Sequence, residues 1–176
     1  MFSSVLYFKE WADELDASAE IKGSLHGVPF CVKDDHDIDG MDSTLGMSIN
    51  LYKAARDSCV VVKVLMDAGA IPFCKTNLPQ TTFSGASENP IYGTTLHPQN
   101  KALNPGGSSS GTSCLVAAGG APFGTGSDLG GSVRMPANAC GLATLRPTIR
   151  RTSGLGLKQA VEDVAGCKYK RVPYYY

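Results

Sequence analysis

The 176-residue sequence has no excess of charge of either sign, because 16 Lys and Arg residues balance 16 Asp and Glu residues. A chain without net charge generates no long-range field that would attract it to a nucleic-acid backbone or an anionic lipid surface. We therefore expect no nucleic-acid partner.

Long apolar runs and cysteine pairs are missing as well. The longest nearly apolar stretch, residues 114–123, is far shorter than the roughly 20 residues that cross a bilayer. Lys9 and Glu10 interrupt the region where a secretion signal would be apolar. None of the six cysteines forms a C-x-x-C pair, the spacing typical of zinc and redox sites. We expect free thiols in an intracellular protein with no membrane span and no metal.

The order of apolar segments predicts an α/β fold. Apolar residues recur at helical spacing in residues 1–20, and an apolar run over residues 27–33 predicts a buried strand that ends at Lys33. A helix over residues 59–68, capped by Asp57 and Ser58, and a strand over residues 70–74 follow, which is typical of a parallel βαβ unit. Further segments are predicted as a helix at 112–118, a strand at 121–126, a helix opened by residues 130–132 and a strand at 139–147.

Two glycine-rich segments approach known nucleotide-binding patterns without matching them. Gly106 and Gly111 have the spacing of a P-loop, but the lysine that contacts the phosphates is missing. The glycines at 124, 126 and 130 have one residue too many for a dinucleotide fingerprint. The acidic residues 34–39 predict a solvated loop rather than a metal site, and the three histidines are predicted to be structural.

Two serines follow glycine pairs, and this pattern is compatible with either an ordinary loop or a hydrolase. A Gly-Gly pair precedes Ser108 and another precedes Ser132. Glycine pairs let backbone N–H groups approach a substrate carbonyl without a side chain in the way. A hydrolase would need a base, and Lys33 is the candidate because burial disfavours an ammonium and lowers a lysine pKa.

Four motifs resemble the amidase signature family. They lie in order at 27–34, 106–111, 126–137 and 141–148, and the interval of 24 residues between Ser108 and Ser132 equals the family spacing. Segments at 42–46, 58–62 and 76–80 make the chain look most like the fatty-acid amide hydrolase branch. The sequence departs from the family pattern at Ser110, Ala143, Thr144 and Arg146.

The resemblance implies a site and a mechanism. Ser132 is implied as the nucleophile, Ser108 as a bridging serine in a cis peptide linkage, and Lys33 as the base. Asp128 and Arg134 are implied to hold the turn before the nucleophile. No cofactor or metal is implied. The implied oxyanion hole consists of the backbone N–H groups of Leu129, Gly130, Gly131 and Ser132.

The resemblance runs from about residue 25 to about residue 148, whereas family members are several hundred residues long. We predict a partial amidase signature domain over residues 1–156, with an incomplete, mixed and largely parallel sheet flanked by helices. We predict a divergent tail over residues 157–176, without an apolar period that could replace a missing strand and helix layer.

Two hypotheses about function follow. The first is a hydrolase that cleaves a carboxamide bond, in a fatty-acid amide or a related small amide, through an acyl-enzyme. The second is a truncated, inactive chain, either an interaction protein or an incomplete gene model. The expected partner is a small amide with an apolar acyl chain, and the expected location is cytoplasmic or peripheral on an internal membrane. The sequence leaves oligomeric state and acyl-chain length open.

Overall fold

The computed structural model describes residues 2–148, 151–159 and 172–175, with side chains from residue 8 to the end of the second range. Two short 3-10 turns at Ser48–Asn50 and Gln80–Thr82 accompany the helices and strands. In chain order the helices and strands are α1 (Phe2–Ala17), β1 (Pro29–Lys33), α2 (Val60–Asp67), β2 (Ile71–Thr76), β3 (Glu88–Asn89), β4 (Gly93–Thr94), α3 (Ser110–Ala117), β5 (Phe123–Asp128), α4 (Arg134–Ala139) and β6 (Val172–Tyr175).

The main sheet has the strand order β2-β1-β5-β6. Strand β1 is parallel to both β2 and β5, and β6 is antiparallel to β5. Phe30, Cys31 and Val32 of β1 are fully buried, as expected for a central parallel strand that is covered on both faces. The predicted α/β class with a mixed, largely parallel sheet is confirmed.

The core forms where α1 and α2 pack against the sheet. Phe30 and Phe123 of neighbouring strands stack with ring centroids 5.3 Å apart. The indole N–H of Trp11 in α1 donates to the carbonyl of Ala70 at 3.0 Å, which fixes α1 beside β2. No helix in the described ranges is long and apolar enough to span a membrane. The buried core residues are Phe8, Phe30, Val32, Ile38, Cys59, Val61, Val62, Leu65 and Ala70.

Helix α2 is one residue shorter at each end than the predicted range of 59–68, and Gly69 stops it as predicted. Its N-cap is Cys59, whereas the hydroxyl of Ser58 accepts the backbone N–H of Asp39 at 2.9 Å. Gly69 ends the helix with a φ of 92°, and a Cβ there would lie 2.7 Å from the Cα of His26. The glycine is therefore required both by its conformation and by the chain packed against it.

One prediction about the later part of the chain is wrong, and the tail adds a strand that was not predicted. The segment 139–147 contains no strand, because α4 ends at Ala139 and Gly141 turns the chain with a φ of 70°. In the tail, which was predicted to have no apolar period that could replace a missing strand and helix layer, β6 pairs with β5, with Tyr174 opposite Gly126. An added strand needs backbone hydrogen bonds and β-favouring residues such as Val and Tyr rather than an apolar period. Residues 160–171 of the predicted tail lie outside the described residues.

Candidate active site

The carboxyl ends of β1 and β5 bring the candidate residues together. Lys33 is the last residue of β1, and Ser127 is the last but one of β5. Because parallel strands end at the same edge of a sheet, the two side chains meet there. Ser108 lies two residues before the start of α3, whose N-cap is Ser109, and α3 packs against both strands.

Lys33 is fully buried and surrounded by oxygen atoms. Its Nζ donates to the hydroxyl of Ser108 at 2.9 Å, to the hydroxyl of Ser127 at 2.8 Å and to the carbonyl of Ser127 at 3.3 Å. One carboxylate oxygen of Asp35 lies 3.3 Å from the same nitrogen. The structure thus brings together the lysine and the first of the two serines that the sequence singled out.

The backbone before Ser108 has the geometry that the family resemblance implies. The peptide bond between Gly107 and Ser108 is cis. Gly106 has a φ of 77°, and a Cβ on Gly107 would lie 2.8 Å from the carbonyl oxygen of Ser84. The glycine pair is therefore needed here, once for backbone conformation and once for the close passage of the loop at residue 84.

Asp128 organises the turn that follows β5. Its carboxylate accepts the backbone N–H groups of Gly131, Val133 and Arg134 at 2.8, 3.1 and 3.3 Å, and both Nε and Nη2 of Arg134 at 2.9 Å. Burial raises the pKa of Asp128, but the hydrogen bonds from Arg134 and from the backbone outweigh it and lower the pKa to about 2. Asp128 and Arg134 hold the turn, as predicted.

Ser132 lies at the end of this turn and is partly buried. Its carbonyl accepts the backbone N–H of Ser109 at 2.9 Å, so the two serine segments are in direct contact. Helix α4 begins at Arg134, two residues later than predicted, so Ser132 precedes the helix. Within the described ranges no hydrogen bond joins the hydroxyls of Ser108 and Ser132, and their proton relay stays a prediction.

The four predicted oxyanion-hole donors differ in availability. In the described part of the chain, the N–H groups of Leu129, Gly130 and Ser132 have no hydrogen-bond partner. The N–H of Gly131 already donates to Asp128 at 2.8 Å. Among the described residues, three of the four N–H groups therefore have no competing acceptor, and the function of all four stays a prediction.

The sequence analysis missed the residues behind Lys33. The predicted solvated loop is wrong at Asp34, Asp35 and His36, which are buried. The hydroxyl of Ser127 donates to Oδ2 of Asp35, and Oδ1 of Asp35 lies 2.8 Å from Nδ1 of His36. Asp35 lies in a tight turn, in which the N–H of His36 donates to the carbonyl of Lys33 at 3.0 Å, and this turn brings its carboxylate back to the lysine.

A second buried ion pair supports the loop that follows β1. Nζ of Lys75 donates to the carbonyl of Asp42 at 2.7 Å and to the hydroxyl of Ser43 at 2.8 Å, and lies 3.6 Å from Oδ1 of Asp34. Burial lowers the pKa of Lys75, although Asp34 and neighbouring carboxylates oppose it. The other oxygen of Asp34 accepts the hydroxyl of Thr44 and the N–H of Leu45 at 2.9 and 2.8 Å. No group of three or more His, Cys, Asp or Glu within residues 2–148, 151–159 and 172–175 is arranged to hold a metal ion.

Comparison with protein families gives a match over most of the chain. The family model described as Amidase matches residues 5–168. Fatty-acid amide hydrolase 1 of Sus scrofa is 47% identical over 140 residues, which is 80% of this chain and 24% of that protein. Amidase 1 of Gibberella moniliformis is 45% identical over 148 residues, which is 82% of this chain and 28% of that protein.

Solved structures give the same result. A structure described as fatty acid amide hydrolase matches with a TM-score of 0.84 and 31% identity over 94% of this chain and 29% of that chain. The chain thus spans about a quarter of the length of the curated relatives that it matches.

Proposed function

The chain belongs to the amidase family, and from that premise we propose that it carries the catalytic centre of a hydrolase acting on carboxamide bonds. The observation that carries the proposal is the 2.9 Å hydrogen bond between Nζ of Lys33 and the hydroxyl of Ser108 in a fully buried setting. A buried lysine next to a hydroxyl is suited to proton transfer when it is neutral.

In the proposed reaction, Ser132 is the nucleophile. Its oxygen forms a bond to the amide carbon while its proton passes to Ser108 and the proton of Ser108 passes to neutral Lys33. The reverse transfers protonate the leaving amine as the C–N bond breaks, and an acyl-enzyme remains. Water then attacks the acyl carbon, and the acid and the free serine are released.

The negative charge on the carbonyl oxygen would be met by backbone N–H groups. The N–H groups of Leu129, Gly130 and Ser132 support this step, because they have no acceptor within the described ranges. The N–H of Gly131 donates to the carboxylate of Asp128, so it contributes to the oxyanion hole only by sharing its hydrogen between that carboxylate and the substrate oxygen. The turn that carries these donors is held rigid by the carboxylate of Asp128, so the donors are oriented before substrate binds.

The substrate class is proposed as a fatty-acid amide or a related small amide. The pig relative is named for that substrate class, which supports an apolar acyl chain. Hydrolysis of a long-chain primary fatty-acid amide should then exceed hydrolysis of acetamide at equal concentration. Equal rates on the two amides would remove the acyl-chain part of the proposal and leave the amidase part.

Covalent labelling with a fluorophosphonate tests the catalytic assignments directly. The reagent forms a Ser132 O–P bond and releases fluoride, so intact mass and a labelled peptide report the result. We expect Ser132→Ala to abolish labelling, Lys33→Ala to lower the rate by about 10²–10⁴-fold, and the exposed-serine control Ser24→Ala to leave it unchanged. Full labelling of Ser132→Ala would refute the nucleophile. A folded wild-type chain that is never labelled would favour the inactive alternative.

A further inference from the structure

Hydrogen bonds and an ion pair connect Lys33 to the carboxylate of Asp35, which the proposed proton relay does not use. Nζ of Lys33 donates to the hydroxyl of Ser127 at 2.8 Å, and this hydroxyl donates to Oδ2 of Asp35. Oδ2 of Asp35 is itself 3.3 Å from Nζ. On the far side, Nδ1 of His36 lies 2.8 Å from Oδ1 of Asp35. All four residues are buried.

These contacts support an arrangement in which a neutral Lys33 serves as a base. Ser127 has a single hydroxyl proton, and it is directed to Asp35, so the oxygen of Ser127 accepts from Lys33. A neutral amine has two N–H groups and one lone pair. One N–H is directed to the hydroxyl of Ser127 at 2.8 Å, and the carbonyl of Ser127 and Oδ2 of Asp35, each at 3.3 Å, are acceptors for the second. In this arrangement the lone pair faces the hydroxyl of Ser108 at 2.9 Å, as a base requires.

The same carboxylate also acts on the charge of Lys33. Burial disfavours the ammonium form, whereas an opposite charge within about 4–6 Å favours it. His36 can donate Nδ1–H to Asp35, which stabilises the ionised carboxylate beside the lysine. The pH at which Lys33 becomes neutral is therefore set by the balance between burial and Asp35.

We propose that Asp35, oriented by His36, is a positioning residue that acts through Ser127 to direct the lone pair of Lys33 and that raises the pH at which Lys33 becomes a base. This inference rests on the proposed function, because the direction of the lone pair matters only if Lys33 accepts the proton of Ser108.

Other charged and titratable groups surround this set, and each has contacts of its own. Asp34 is near Lys75, Asp37 accepts the hydroxyl of Ser43 at 2.6 Å, and Asp128 is bound by Arg134. The variants described below leave these groups unchanged, so a shift in titration isolates Asp35. The nearby groups are Asp34, His36 and Asp37 after β1, Lys75 on β2 and Cys59 at the start of α2. Asp128 follows Ser127 in the chain and is paired with Arg134 and Arg146.

The first test is the pH dependence of the fluorophosphonate labelling rate of Ser132. In Asp35→Asn we expect the acid limb of the profile to move to lower pH by about one unit or more, the effect of removing an adjacent opposite charge. Ser127→Ala keeps the charge of Asp35 but loses a hydrogen bond to a charged group, so we expect at least about a tenfold lower labelling rate. The acid limb of its pH profile should move less than that of Asp35→Asn. A limb that stays in place in Asp35→Asn, or moves to higher pH, would overturn the proposal.

The second test does not depend on catalysis. Lysine labelled with carbon-13 at Cε reports the protonation of Lys33 by NMR, with Lys33→Met to assign the signal. We expect a lower midpoint in Asp35→Asn than in the wild-type chain, and no change in Asp39→Asn, which removes an exposed carboxylate from the same loop. An unchanged or higher midpoint in Asp35→Asn, or in Asp35→Ala if Asp35→Asn does not fold, would overturn the proposal. If labelling fails while these shifts appear, the proposed function is refuted and the electrostatic effect of Asp35 remains.

Discussion

The substitution Asp128→Asn should destabilise the protein by an amount that depends on pH. The pKa of Asp128 falls from its usual 3.8 to about 2 in the folded chain. At 1.36 kcal/mol for each pH unit, this difference corresponds to about 2–3 kcal/mol of folding free energy. Arg134 is half exposed, and salt screens part of its attraction. We therefore expect a loss of about 2 kcal/mol at pH 7 and low salt.

The sign of the pH dependence follows from the lowered pKa. A carboxyl group whose pKa is lower in the folded state than in the unfolded state stabilises the fold fully above the unfolded value, near pH 4. That stabilisation is lost as the pH falls through the folded value, about 2. The difference in stability between the wild type and Asp128→Asn should therefore be largest at neutral pH and should shrink between pH 4 and pH 2.

Urea unfolding followed by circular dichroism at pH 7, pH 4 and pH 2.5 measures this difference. Asp57→Asn is the matched control, because its hydrogen bond to Lys63 also lowers the pKa of Asp57 but both groups are exposed. Exposed ion pairs contribute little, so this control should change stability only slightly at every pH. An Asp128→Asn effect that is the same at pH 7 and pH 2.5 would refute the electrostatic explanation of the turn.

Two further substitutions test the packing of the fold. Gly111→Ala should lower stability by about 1–3 kcal/mol, because its Cβ would lie 2.4 Å from the backbone nitrogen of Asn77; Gly85→Ala, with no neighbour within 4 Å, is the control, and equal stabilities in urea would contradict the close contact. Trp11→Phe should cost about 1 kcal/mol through loss of the hydrogen bond to Ala70, and an unchanged urea midpoint would show that this bond contributes nothing.

Local patterns were sufficient to predict the elements that position the site. The apolar run that ends at Lys33 forms β1, and Gly69 stops the chain from continuing α2. Both features depend on residues close together in the sequence, namely burial periodicity and the conformational freedom of Gly69. The glycine pair singled out Ser108, and the resemblance to a known family then added the cis peptide bond before it, which no local pattern predicts.

The errors arose where distant segments decide the outcome. Residues 139–147 contain enough apolar side chains to suggest a strand, but this segment has an isolated β-bridge at Leu145 and no strand. Strand β6 shows the opposite case, because β5 offers a backbone partner to a segment with little apolar pattern. Pairing in a sheet is a property of two segments, so one segment read alone predicts it poorly.

Contacts with distant segments also explain why the acidic residues after β1 are buried. Acidic residues in a row usually indicate solvent, because burying an unpaired carboxylate is costly. Here each of two buried carboxylates has a buried lysine beside it, Asp35 next to Lys33 and Asp34 next to Lys75. Lys33 lies two residues before Asp35, but Lys75 comes from the neighbouring strand. The pair of Lys33 and Asp35 could therefore be predicted from the sequence. The pair of Asp34 and Lys75 required the parallel register, which sets Lys33 opposite Thr76 and brings the end of β2 beside the loop after β1.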